Sequence, residues 1–278
     1  MVKGSSSNLL AGSLAGRLGA RIAETEIKRF PDRECYVRIK ENLDGEDVLL
    51  LQNAYPDENI IELVLLQDAI QEFAFNKLIT VVPYFGYARQ DKKFNDGESV
   101  SARSIAKIVQ LYSDRIITID LHSPKVIEWF DVPAENISGM PAIGNHLRDL
   151  SIDIVIAPDE GAKERAMSVA GIVGCEWDYL EKKRIDSETV DVKMKHLDVK
   201  DRNVVIVDDI ISTGGTIVKA TEHLKKEGVR KVYAACTHGL FVGNALEKLK
   251  VCDKVFSTDT IENERTEITV ADEIAKAI

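Results

Sequence analysis

Cysteine is scarce in this chain and scattered. Cys35, Cys175, Cys236 and Cys252 form no CxxC pair or other metal-ligand spacing, so they read as reduced, small apolar residues suited to a reducing compartment. Positive charge is also in short supply. The net charge of −10 argues against nucleic acid as the main partner, because phosphate-backbone binding relies on an excess of Lys and Arg. Apolar runs long enough to span a membrane are missing. The opening MVKGSSSNLLAGSLAGRLGA resembles a signal peptide only weakly, since Arg17 interrupts it and its apolar run is short and rich in Gly. GxGxxG is absent, which weakens a dinucleotide-binding reading. A cytoplasmic protein without a membrane partner is the expectation.

What remains is an ordinary globular composition, 45% hydrophobic and 29% charged over 278 residues, long enough for two domains. Apolar strand candidates recur at Val48–Leu51, Leu78–Val82, Ile116–Ile119, Ile154–Ile156, Val204–Val207, Val232–Ala235 and Val255–Phe256, with helical periodicity such as Ile60–Phe73 and Ser101–Tyr112 between them. That alternation specifies α/β sheets with parallel strands. The rhythm runs twice, which predicts two similar domains, each a mainly parallel sheet flanked by helices. The expected boundary lies among Gly139, Pro141 and Gly144, giving domains 1–142 and 143–278.

The richest stretch is VVIVDDIISTGGT, Val204 to Thr216. Its apolar β-branched start suits a strand covered on both faces, so Asp208 and Asp209 emerge at the carboxyl end, where open α/β sheets bind ligands. Ser212, Thr213, Gly214, Gly215 and Thr216 follow, just before an apolar periodicity at Ile217, Val218, Thr221 and Leu224. Hydroxyls and closely spaced N–H groups at a helix start favour phosphate. Carboxylates repel phosphate, and no Lys follows the glycines as in a P-loop. A sugar phosphate reconciles the two, its hydroxyls donating to the acids and its phosphate taking the loop donors. The bland alternative is a strand end followed by a polar turn.

Five further segments carry candidate ligand contacts. YFGYARQDKK places Arg89, Gln90, Asp91, Lys92 and Lys93 after a strand, where Arg offers a planar fork for triphosphate oxygens and Lys a point charge. A solvated basic turn is the alternative. Phe30, Pro31, Asp32, Arg33 and Glu34 combine an aromatic face that can stack on adenine with carboxylates that can accept from its amino group or from ribose; a simple turn is the alternative. Asp120, Leu121 and His122 end one strand, and Pro158, Asp159 and Glu160 another. Such donors could fix a divalent ion between triphosphate oxygens or could be helix caps, and Mg2+ suits the first role because it keeps waters and accepts few protein ligands. In YLEKKRID, Lys182 and Arg184 share a face if extended, as a catalytic pair or as an exposed basic hairpin.

Together these segments resemble the ribose-phosphate diphosphokinase family. The loop at Asp208–Thr216 is also similar to the binding loop of type I phosphoribosyltransferases. The resemblance covers nearly the whole chain, with the motifs in family order. It implies a type I phosphoribosyltransferase-like fold in both domains and diphosphoryl transfer from ATP to ribose 5-phosphate, releasing AMP. It implies ATP contacts at Phe30, Asp32, Arg33, Glu34, Arg89, Gln90, Asp91 and Lys93. Arg184, Asp208, Asp209, Ser212, Thr213, Gly214, Gly215 and Thr216 are the implied ribose 5-phosphate residues. His122 and Asp159 are the implied metal-associated residues for Mg2+. Lys182 and Arg184 are the implied catalytic pair at the entrance to a loop whose polar tip is Ser187, Glu188 and Thr189. A homo-oligomer follows too, because in the family the Phe30–Glu34 loop belongs to an ATP site completed by an adjacent subunit. The chain departs at Arg33, where the family usually has Gly; Arg tolerates positive φ less well, so a different turn is expected there. Ser212 and the chain length look like those of archaeal members. A phosphoribosyltransferase or a non-catalytic regulatory homologue is the alternative, the first leaving Arg89–Lys93 without a purpose.

Overall fold

The computed structural model describes the backbone of residues 1–184, 190–194 and 197–278, with side chains for 1–180 and 197–278. The chain forms two compact units, the first comprising Met1–Ser138, Thr260–Glu262 and Thr269–Ile278, the second Gly139–Asp259 and Asn263–Ile268. A single cut at 142/143 therefore does not describe the C-terminal segment, which returns to the first unit.

The first unit runs β1 (Val2–Lys3), α1 (Asn8–Leu18), β2 (Thr25–Arg29), β3 (Cys35–Ile39), β4 (Asp47–Leu51), α2 (Asp57–Gln71), β5 (Lys77–Val82), α3 (Ser101–Val109), β6 (Arg115–Ile119) and β7 (Ala134–Ile137). Its main sheet has the order β1-β4-β5-β6-β7, and every pairing in it is parallel. Leu50, Leu78, Leu66 and Ile70 fill one core cluster, and Val82, Ile116, Ala102 and Ala106 another. Burying each large aliphatic side chain contributes about 1.5–3 kcal/mol, which is why the near-continuous apolar strands stay inside. β2 and β3 stand apart as an antiparallel two-stranded ribbon.

The second unit contains α4 (Met140–Leu147), β8 (Ile154–Ala157), α5 (Lys163–Val173), β9 (Glu176–Arg184), β10 (Val190–Met194), β11 (Asn203–Ile211), α6 (Gly215–Lys226), β12 (Lys231–Gly239), α7 (Ala245–Lys248), β13 (Lys254–Thr258) and β14 (Thr266–Ile268). The closing helix α8 (Ala271–Ala277) packs with α1 in the first unit. The sheet order is β10-β9-β8-β11-β12-β13-β14, parallel except for antiparallel β10 at one edge. Val204 and Ile206 join the core that includes Ile217, Ala220 and Leu224 of α6, whereas Val205 and Val207 join the one that includes Ala166, Val169 and Ala170 of α5. Alternation along the strand thus sends successive β11 side chains to opposite helical layers.

All seven strands read from apolar runs are present, each as part of a parallel sheet. The short β1, β7 and β14, the outer ribbon β2-β3, and β9 with its antiparallel partner β10 are additions. Among the described residues no helix is long and apolar enough to cross a membrane.

Candidate active site

The second sheet has one topological switch point. From β8 the chain crosses through α5 to β9 on one side, and from β11 it crosses through α6 to β12 on the other. Neighbouring strands whose connections leave in opposite directions open a crevice outside their carboxyl ends, where α/β proteins bind ligands. β8 ends at Ala157, paired through Ile156 with Ile206, while β11 continues to Ile211. Asp208 and Asp209 therefore lie within a longer strand than the sequence suggests, but beyond the end of β8 and at the carboxyl edge of the sheet.

Past Val207 the two carboxylates both come within reach of Arg165 of α5. Asp209 is buried, and its Oδ2 lies 3.1 Å from a terminal nitrogen of Arg165. The Asp209 N–H donates to Asp208 Oδ1 at 2.9 Å, and the other terminal nitrogen of Arg165 lies 3.9 Å from that same oxygen. Burial first, and the adjacent Asp209 carboxylate second, push the Asp208 carboxyl up to about 8 against the downward pull of Arg165. Sequence reasoning missed Arg165. The one trace of it in the sequence is a cation in the first turn of α5, the end of a helix that favours anions, a feature that Lys163 shares.

The glycine loop delivers the next group. Gly214 is the residue before α6 and sits at φ 75°, so the helix starts at Gly215 and not at Ile217. The first N–H groups of such a helix have no intrahelical acceptor and converge on whatever stands before it. A Cβ on Gly215 would meet nothing nearer than Thr213 Oγ1 at 3.9 Å, so the space before the helix is open. Gly214 differs: a Cβ there would lie 3.1 Å from Leu249 Cγ in a left-handed conformation. Gly214→Ala is expected to lower unfolding free energy by about 1–2 kcal/mol, read by urea denaturation; an unchanged midpoint would show the loop adapts without strain.

Lys182 and Arg184 lie in the backbone of β9, which pairs antiparallel with β10 through Lys182↔Val192 and Arg184↔Val190. The extended condition for their shared face is met. Their side chains, and the loop tip of Ser187, Glu188 and Thr189, lie outside the described residues.

In the first unit, Arg89–Lys93 follow β5 in a loop held by backbone. Tyr84 N–H donates to Asn53 Oδ1 at 2.8 Å, and Gln90 N–H to the Tyr87 carbonyl at 2.9 Å. Gly86 passes so close that a Cβ would sit 2.5 Å from the Ala54 carbonyl oxygen. Arg89 and Lys93 are exposed, and no ion pair engages them among the described residues. Asp91 is engaged: its Oδ2 accepts from the buried Ser123 hydroxyl at 2.7 Å. His122, beside Ser123, is exposed, and Asp120 stands at φ 39°. Asp159, in the second unit, accepts from the Gly161 N–H at 3.1 Å through Oδ1, so the capping alternative is realised there, on a short 3-10 turn. Among the described residues no three His, Cys, Asp or Glu side chains gather as a metal cage.

Phe30–Glu34 form the tip of the β2-β3 ribbon. Arg33 N–H donates to the Phe30 carbonyl at 2.8 Å and Phe30 N–H to the Glu34 carbonyl at 2.9 Å. Arg33 itself takes φ 74°, the glycine-favouring conformation that closes such a hairpin, so the chain keeps the turn at a steric cost. Its pairing with Glu58 at 3.5 Å is 84% and 52% exposed, too solvated to offset that cost. Arg33→Gly is expected to raise stability by about 0.5–1 kcal/mol net of the added backbone entropy, checked by denaturant midpoint; a lower midpoint would sink the strain argument. The Phe30 ring is 43% exposed and meets Tyr36 edge-on at 5.8 Å. The hairpin tip and the segment leading into Arg89–Lys93 each touch the first turn of α2, through Arg33 with Glu58 and through the Tyr87 hydroxyl, which donates to Asp57 Oδ1 at 2.7 Å.

The N-terminal domain of ribose phosphate pyrophosphokinase matches residues 1–112, and the phosphoribosyl transferase domain matches residues 131–272. The chain is 44% identical to the ribose-phosphate pyrophosphokinase of Pyrococcus furiosus, over 99% of this chain and 98% of that protein. It is 42% identical to that of Methanopyrus kandleri, over 97% and 94%. Among solved structures, phosphoribosylpyrophosphate synthetase from Mycobacterium smegmatis superposes with a TM-score of 0.84 at 27% identity, over 99% of this chain and 96% of that one. Both modules in one order, and relatives matched end to end, leave no stretch to an unrelated fold: the chain belongs to the ribose-phosphate pyrophosphokinase family.

Proposed function

We propose that the chain is a ribose-phosphate diphosphokinase, which moves the diphosphoryl group of ATP to the anomeric oxygen of ribose 5-phosphate and releases AMP. The observation that carries this is the strand end of β11, which brings Asp208 and the open α6 N-terminus to one switch-point crevice. Asp208 accepts from the ribose hydroxyls, and Ser212, Thr213, Gly214, Gly215 and Thr216 hold the 5-phosphate with hydroxyls and N–H groups. The anomeric oxygen, positioned by those contacts, attacks the β-phosphorus in line as the bond to the α-phosphate breaks. Lys182 and Arg184 neutralise charge growing on the phosphoryl oxygens, and Arg184 also meets the sugar phosphate. No dedicated base is assigned, because positioning and charge stabilisation supply much of the acceleration in phosphoryl transfer.

Arg89, Gln90, Asp91 and Lys93 bind the triphosphate side of ATP, with Asp91 oriented by Ser123. Phe30 stacks on adenine, with Asp32, Arg33 and Glu34 around it. An exposed ring at a hairpin tip suits contact with a nucleotide held by a neighbouring copy, so we assign a homo-oligomer with the ATP site completed across subunits. The lack of a three-ligand cage among the described residues fits a cation held mainly through substrate oxygens and water, which is the habit of magnesium. His122 and Asp159 are the residues assigned to hold Mg2+, which when bound supplies neutralising charge to the triphosphate. All four cysteines are free thiols, which suits a cytoplasmic setting.

Phosphorus NMR of the purified protein with Mg-ATP and ribose 5-phosphate tests the assignment. AMP together with a new sugar diphosphate is the expected outcome. ADP with a sugar bisphosphate would make the chain a simple kinase, and an unchanged spectrum with inorganic phosphate also supplied would favour a non-catalytic role.

A further inference from the structure

Arg165 has a use beyond holding the fold. It stands in the first turn of α5, where the helix dipole disfavours a cation, and its side chain is largely covered. Both terminal nitrogens of its guanidinium face the acid pair, one at 3.1 Å from Asp209 and the other at 3.9 Å from Asp208. The neighbouring first-turn cation, Lys163, turns elsewhere, to Glu160 at 2.6 Å and over the Tyr179 ring at 3.9 Å. Two adjacent carboxylates at a mostly covered strand end repel each other, and removing the countercharge from such a pair leaves an uncompensated buried charge.

We propose that Arg165 is a positioning residue for sugar binding: it anchors the Asp209 carboxylate and, with its second terminal nitrogen beside Asp208, favours the ionised form of Asp208 as the acceptor of the ribose hydroxyls. The proposal rests on the assignment of Asp208 to the sugar. An ionised carboxylate is acceptor-only and can take two hydroxyl donors, whereas a protonated one carries an O–H donor and keeps only part of that acceptor capacity. Arg suits the post because its guanidinium does not lose its proton and spans both acids as a fork. Among the described residues, Arg165 is the cation paired with Asp208. Burial and Asp209 both favour its protonated form, and the titratable neighbour on the paired strand, the buried Cys236 of β12, is not a cation.

The test is calorimetric binding of ribose 5-phosphate, without nucleotide, to the full chain. Arg165→Gln is expected to weaken binding at pH 7 about tenfold, since losing the guanidinium further favours the protonated form of Asp208. Arg165→Lys should recover part of that loss. With ATP supplied, the change should fall on the KM for ribose 5-phosphate more than on kcat. If Arg165→Gln binds the sugar as the wild type does, with the same pH profile, the proposal is wrong while the sugar assignment stands. If the wild type itself binds no ribose 5-phosphate, the sugar assignment falls first. Should Arg165→Gln fail to fold, the nitrogen-15 side-chain signals of Arg165 in the wild-type protein decide. They should follow the titration of the acid pair and shift when ribose 5-phosphate is added; signals unmoved by both overturn the proposal.

Discussion

Lys182→Ala is expected to lower turnover by about three orders of magnitude while leaving the denaturant midpoint within about 0.5 kcal/mol of wild type. The two halves of that expectation have different sources. The first follows from the chemistry: a cation that meets phosphoryl oxygens only as charge builds on them acts on the transition state, so its removal falls on kcat and kcat/KM alike. The second follows from position. Lys182 is paired by backbone with Val192 of the edge strand β10, and truncating a side chain leaves those ladder hydrogen bonds in place. Steady-state kinetics with saturating Mg-ATP checks it, and near-normal turnover would remove Lys182 from the mechanism. A rise in KM alone would demote it to uniform binding of substrate.

The sheets were legible before the structure because burial on both faces leaves a plain signature. Val204–Val207 and Leu78–Val82 are unbroken apolar runs, and both are central parallel strands. The β2-β3 ribbon was not legible in the same way. TEIKR and CYVRI are short, half-exposed and charged, and only Ile27, Val37 and Ile39 pack against the core, too few apolar positions to stand out beside their FPDRE connection. Strand ends were blurred for a related reason: Asp208 and Asp209 look like a terminus in sequence, yet pairing with β12 carries the strand to Ile211. The return of α8 to the first unit depends on contacts more than two hundred residues apart in the chain, such as the ion pair of Arg17 with Asp272, which no local pattern encodes. Arg165 was hidden because helix periodicity labels it a solvent position, and its partner is fixed only when β8 and β11 lie side by side.

Asp208→Asn should separate binding from stability, moving them in opposite directions. A hydrogen bond to a charged acceptor contributes about 1.5–3 kcal/mol, so loss of the carboxylate is expected to weaken ribose 5-phosphate binding by about ten- to a hundredfold. Stability should change the other way at neutral and alkaline pH. The unfolded carboxyl loses its proton near the ordinary value of 3.8, whereas burial and Asp209 hold the folded one protonated up to about 8. Between those limits the folded state binds more protons than the unfolded one, so wild-type stability falls as pH rises through the window. Asparagine cannot ionise, and its Oδ1 can still accept the Asp209 N–H that Asp208 now holds. The variant should therefore match the wild type near pH 4 and exceed it above pH 8, by a few kcal/mol at most, on the order that linkage allows for a shifted buried carboxyl. Urea denaturation at a series of pH values reads this directly. Parallel pH profiles for the two proteins would mean that Arg165 already holds Asp208 ionised at its ordinary value, and the affinity loss would then report the charge itself and not its burial.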